Sequence, residues 1–137
     1  MIEWIEPKTD WAATDKFNIV DYNRIRNNIS FVHNALSEIN MHFNIQSMGE
    51  DMTDYSSYWT AEVFNAIEAN VAYINSRMEN KDFGVTKTFF PNGAFITYDE
   101  LNRIESATLD MKTAIDNIKK GIRHIPFRLG GYKAIRT

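Results

Sequence analysis

The sequence predicts a mainly α fold: three principal helices built from a triplicated lead-in-plus-helix unit, followed by a C-terminal β-hairpin. Three observations predict it. "FNIVDYNRI" (17–25), "WTAEVFNAI" (59–67) and "ITYDELNRI" (96–104) are versions of one stretch. Each is followed by apolar residues at helical spacing. Beyond residue 123 the pattern changes to short alternating runs around Gly130-Gly131. The 137 residues are expected to form a single domain. Its repeat units run at about 8–43, 52–81 and 87–122, with the hairpin at about 124–137.

Aligned on Asn23, Asn65 and Asn102, each unit carries isoleucine two residues later: Ile25, Ile67 and Ile104. Five residues before each Asn stands an N-cap residue, Asn18, Thr60 or Thr97. Their side-chain oxygens can accept from the free N–H groups of a first helical turn. Glu100 completes a Thr-x-x-Glu capping box with Thr97, and Asp21 is a shorter imitation opposite Asn18. The second unit has Val63 there and loses this half of the device. Apolar residues before each cap (Phe17, Trp59, Ile96) and at the fourth helical position (Tyr22, Phe64, Leu101) have the spacing of a hydrophobic staple. Helix starts are therefore expected near residues 19, 61 and 98.

The stripes that follow are Tyr22, Ile25, Ile29, Val32, Leu36, Ile39; then Phe64, Ile67, Val71, Ile74, Met78; then Leu101, Ile104, Thr108, Met111, Ile115, Ile118, Ile122. Steps of three and four give a narrow face of the kind helices use against one another. Three stripes of similar length can cover each other within one chain, and an intermolecular seam would need a longer run. The repeated Asn lies beside the seam. Asn is a mediocre helix former, so it has either a hydrogen-bonding task near the helix start or an inheritance from a duplicated ancestor.

The segments before the caps also echo one another: "KTDW" (8–11), "MTDY" (52–55) and "KTFF" (87–90), each a Thr followed two residues later by an aromatic. They are long for helix-hairpin connections. About 15 extended residues reach some 50 Å, more than the length of a 20-residue helix. The helices can thus run up-down-up or all parallel. At the C-terminus, "HIPFRL" and "YKAIRT" flank Gly130-Gly131 as a hairpin would, with Pro126 confining the first run to an edge.

Composition excludes several classes. Hydrophobic residues make up 44% and charged residues 24%, which is globular rather than disordered. No apolar run is long enough for a membrane span, and "MIEWIEPKTDW" lacks the apolar core of a secretory signal. There is no cysteine, hence no disulfide or thiolate site. His33, His42 and His124 lack metal-ligand spacing, "DMTD" (51–54) lacks the order of a calcium loop, and "DFG" (82–84) stands without other kinase motifs. No catalytic, cofactor-binding or metal-binding residue is assigned, no cofactor is expected, and the chain is read as non-enzymatic.

The net charge of −3 hides an asymmetry: residues 1–116 hold all 18 acids and 9 of the 15 Lys and Arg, while residues 117–137 carry a net +6. A basic, apolar-patterned end on an acidic body suits an assembly contact with a neighbouring copy or another protein. The partner-binding residues expected there are Lys119, Lys120, Arg123, Phe127, Arg128, Leu129, Tyr132, Lys133, Ile135 and Arg136.

"EPKTDWAATDKFNIVDYNRIRNNI" at the front, "ITYDELNRIESAT" in the third unit and "FRLGGYKAIR" at the end resemble a family of small virion structural proteins from tailed phages of Gram-positive bacteria. The matches cover about a third of the chain, and the middle unit is the least faithful. The resemblance implies a class and a location and no functional residue. The chain is then an assembly subunit or adaptor of the tail, baseplate or fibre attachment, made in the host cytoplasm and oligomeric in the particle beside other virion proteins. Two rival readings are a nucleic-acid-binding module using the basic end and a host-surface receptor binder using some of the 18 aromatics.

If the caps are assigned correctly, Thr97→Ala loses about 1 kcal/mol in urea denaturation. Thr113→Ala, in mid-helix, loses less. Equal losses would contradict the assignment.

Overall fold

The computed structural model describes residues 2–48, 60–78, 84, 86–90 and 96–124, with side chains through Gly121. Three helices form: α1 (Ile19–Glu38), α2 (Ala61–Arg77) and α3 (Tyr98–His124). They start where the caps place them. Asn18 accepts from Asp21 N–H while Asp21 accepts from Asn18 N–H, a complete capping box. Thr60 Oγ1 accepts from Val63 N–H. At α3, both the N–H and the hydroxyl of Thr97 donate to Glu100 Oε1, so the glutamate half of the box holds the turn. α1 ends in a Schellman motif: Asn40 takes φ 69° and the N–H of Met41 returns to Leu36 C=O at 2.9 Å.

All three helices run parallel. Arg24 of α1 meets Glu105 of α3, and Glu38 meets Lys119; both pairs are 81 residues apart, so the two helices keep one direction and one register. α1 and α2 meet near their starts through Tyr22 and Phe64 (ring centroids 6.4 Å apart), and farther along through Phe43, which touches both His33 and Tyr73. A parallel bundle in one chain requires each connection to travel back the length of a helix. The extended lead-ins do so. Residues 2–11 return between α1 and α3, with Trp4 set between Phe31 and Lys112. Residues 41–48 return between α1 and α2, and Phe89 of the third lead-in packs on Phe64. The described residues contain no strand. The expected hairpin, residues 124–137, falls outside them except for His124, the last residue of α3.

The predicted stripes form the core. Tyr22, Ile25, Ile29, Val32 and Leu36 are buried, as are Phe64, Ile67, Val71 and Ile74, and Leu101, Ile104, Thr108, Met111 and Ile115. Trp11, Met48, Phe89 and Ile96 add the lead-ins to the same cluster. The third stripe departs from expectation at Ile118, which is 43% exposed. α1 stops at Glu38, opposite Lys119, and α2 is shorter still, so α3 outruns the helices that would cover it. The side chain of Ile122 lies outside the described residues. Phe17, the residue before the first cap, also packs on Phe64 of the neighbouring helix, centroids 6.0 Å apart, and so ties two units together.

Ile115→Ala should cost about 2–5 kcal/mol by opening a cavity in the closed part of the bundle. Ile118→Ala, one step farther along the same stripe, should stay near 0.5 kcal/mol. Urea denaturation of both variants checks where the bundle ends.

Candidate functional site

Among the described residues, four asparagines pin the lead-in backbone in one shared way. Asn102 accepts from Trp11 N–H at 2.7 Å and donates to Trp11 C=O at 3.0 Å. Asn65 makes the same pair with Phe89, at 2.7 and 2.9 Å. Asn28 does so with Ile5 at 3.1 and 2.7 Å, and Asn70 with Gln46 at 2.8 and 2.9 Å. The N–H and C=O of one extended residue lie on the same edge of the chain. A carboxamide places an acceptor and a donor side by side and matches that edge as a neighbouring strand would. Aspartate could only accept. This is why an extended segment can be packed on helices with no sheet: the amides satisfy backbone groups that burial would otherwise strand.

The repeated Asn therefore has a task. Asn65 and Asn102 each clamp the lead-in of the following unit in cyclic order, the third unit's on α2 and the first unit's on α3. Asn23 also has a partner, and Tyr55, the second unit's counterpart of Trp11, lies outside the described residues. The second set, Asn28 and Asn70, stands five residues later and clamps each helix's own lead-in. It escapes a reading anchored on the three-membered repeat, because α3 has Ala107 there, fully buried. The clamps also correct the lead-in alignment. Phe89, 5% exposed, is the counterpart of Trp11; Phe90, which the Thr-x-aromatic pattern selects, is 68% exposed. One additional residue between the aromatic and the cap shifts the register.

An ionic link follows the same rotation. Arg24 follows Asn23 by one residue, and Glu105 follows Asn102 by three. Arg24 donates to Glu105 through Nε and an Nη atom, both at 2.7 Å, and to Asp21 at 2.9 Å. Glu105, 1% exposed, also accepts from Lys8 N–H and from the Trp11 indole at 2.6 Å. The hydrogen bond to Glu105 raises the pKa of Arg24 above its ordinary value. One step around, Arg103 of α3 pairs with the buried Glu68 of α2. Gly84 lies against this pair with φ +94°, and a Cβ there would come 2.8 Å from Arg103 Cδ. In the third place neither partner is kept: Ala66 replaces the arginine and Arg26 the glutamate. Arg26 instead donates to Met48 C=O and lies over the Tyr22 ring. The sequence carried the signal in "NRIRNN", "NAIEAN" and "NRIESA", where Arg or Glu recurs at fixed offsets from Asn. Only the helix order shows which Arg meets which Glu.

The two linked carboxylates differ in one respect. Among the described residues, Oε1 of Glu68 is buried without a hydrogen-bond partner. Trp11 supplies an indole N–H to Glu105, and its counterpart Phe89 has none to give to Glu68.

Of the residues expected at a basic contact, Lys119 pairs with Glu38 at 2.7 Å and Lys120 is exposed one residue on. Arg123 stands in the last turn of α3, its side chain outside the described residues. Phe127, Arg128, Leu129, Tyr132, Lys133, Ile135 and Arg136 also lie outside them. His33 is bonded to Phe43 C=O. Among the described residues no three His, Cys, Asp or Glu side chains are grouped to hold a metal, and no helix is long and apolar enough to cross a membrane. No protein-family model matches the chain, and no curated protein or solved structure matches it.

Asn102→Ala removes both clamp bonds and leaves the Trp11 backbone short of partners, a loss of about 1–3 kcal/mol. Asn117→Ala, exposed on the same helix, should change stability by about 0.5 kcal/mol or less. Thermal or urea unfolding of the pair distinguishes a clamp from a decorative amide.

Proposed function

We propose that this chain is a non-enzymatic structural protein of a phage virion, an assembly subunit or adaptor of the tail, baseplate or fibre attachment. One observation carries the non-catalytic part of this reading. The polar side chains that the sequence repeats, Asn65, Asn102, Arg24, Arg103, Glu68 and Glu105, all bind the chain's own backbone or each other. Their chemistry is engaged in holding the three units together. The virion part rests on the resemblance of the "EPKTDW…", "ITYDEL…" and "FRLGGY…" stretches to tailed-phage structural proteins. The geometry adds support of its own: three parallel helices bring three related helix starts to one end of the body. Such a body suits a seat on a threefold partner such as a trimeric fibre. The overhang of α3, with exposed Ile118 and Lys120, supports a contact at the opposite end.

Mass spectrometry and immunogold labelling of purified particles should find the protein in the virion, at the tail or its attachments. Deleting residues 124–137 should leave the helical circular dichroism intact and abolish incorporation into particles. Incorporation of the truncated protein at the normal level would remove the C-terminal segment from the interface. Absence of the protein from purified particles would overturn the virion assignment.

A further inference from the structure

The first two units differ in what packs on an equivalent aromatic, and a cleft lies beside each, about 350 Å³ at Phe31 and the larger at Tyr73. On α1, Phe31 stands three residues after the clamp Asn28. Its ring is covered by Trp4, the residue before the clamped Ile5, with centroids 5.5 Å apart. On α2, Tyr73 stands three residues after the clamp Asn70. The residue before the clamped Gln46 is Ile45, which is too small to cover an aromatic ring. Beside Tyr73 lies a cavity of about 470 Å³ lined by Asn44, Ile45, Gln46, Ala69, Asn70 and Tyr73, with Tyr73 43% exposed.

We propose that this cleft binds a neutral saccharide ring. Among the described residues the lining holds one aromatic, small apolar groups and three carboxamides, of which that of Asn70 is engaged by the Gln46 backbone, and no charged side chain. An aromatic face attracts the weakly positive C–H face of a pyranose. Carboxamides pair a donor and an acceptor with adjacent hydroxyl groups, and Asn44 and Gln46 present theirs exposed on the rim. The absence of charge from the lining selects against acidic sugars, which would be desolvated without a counter-ion.

The cleft is held open in advance. The Gln46 backbone is pinned on both its N–H and C=O by Asn70. Tyr73 is packed edge to face on Phe43 at 5.4 Å. Phe43 is itself braced by His33 at 5.1 Å and lies under Arg77. Little conformational freedom is left to lose on binding. The inference does not depend on the virion assignment; it stands on the aromatic, the amides and the missing Trp.

The full chain, uniformly labelled with nitrogen-15, is titrated with maltotriose, the trisaccharide of N-acetylglucosamine, a trigalacturonate and a proline- and tyrosine-rich peptide. At least one of the neutral trisaccharides should shift the amides of Asn44, Gln46 and Tyr73 saturably at millimolar concentration. Tyr73→Ala should weaken that binding by about tenfold or more. Ile45→Trp, which rebuilds the Trp4–Phe31 arrangement over Tyr73, should block binding while the melting temperature holds or rises. Silence from both neutral sugars would overturn the proposal, as would shifts that persist in both variants. Equal or stronger binding of the uronate, or of the peptide alone, would overturn the neutral-saccharide assignment.

Discussion

The fold depends on satisfying extended backbone against helices. A parallel three-helix arrangement in one chain forces each connection to run back along the bundle, and an extended chain carries its N–H and C=O groups with it. Buried unpaired, each such group costs about 1–3 kcal/mol. A helix surface normally has no matching edge to offer, because its own backbone groups are turned along its axis. The Asn carboxamide supplies that edge from a side chain. Trp11, Phe89, Ile5 and Gln46 are each pinned on both groups. The apolar side chains Trp11 and Phe89 then enter the core beside the helical stripes.

Around that device the three units have diverged without losing their arrangement. The Arg–Glu link survives in two places, with Glu105 fully bonded and Glu68 one donor short. Buried ion pairs are weak evidence for stability, since desolvation offsets most of their attraction. Their value here is specificity: Arg24 can reach Glu105 only if α1 and α3 lie parallel and in register. The third place does without a pair, and Arg26 turns to a lead-in carbonyl. One ungated position therefore does not undo the arrangement, because the clamps and the core still specify it.

The same divergence gives the surface its character. Trp4 packs on Phe31, while Ile45 stands in its place in the cleft beside Tyr73. α3 continues past its partners and carries Ile118 and Lys120 into solvent. A symmetric interior with an asymmetric exterior suits a part that must sit in a larger assembly and present different contacts in different directions.

Helix starts, helix faces and the core were determined by the sequence, because they depend on local spacing. Asn18, Thr60 and the Thr97–Glu100 pair fix the first turns, and steps of three and four fix which of Ile25, Ile67 and Ile104 and their successors turn inward. The recurrence of Asn announced a shared task at that position. What the task was could not be read there, because the partner of Asn102 is 91 residues away and is a backbone edge, which has no residue-type signature. Helix direction was likewise beyond local pattern: lead-ins of this length permit both arrangements, and only the pairs Arg24–Glu105 and Glu38–Lys119 select the parallel one. Tertiary structure also decided the alignment of Phe89 with Trp11, since one inserted residue hides in a loop but not in a clamp. It decided the exposure of Ile118, since a stripe records a face and not the length of the helices that cover it.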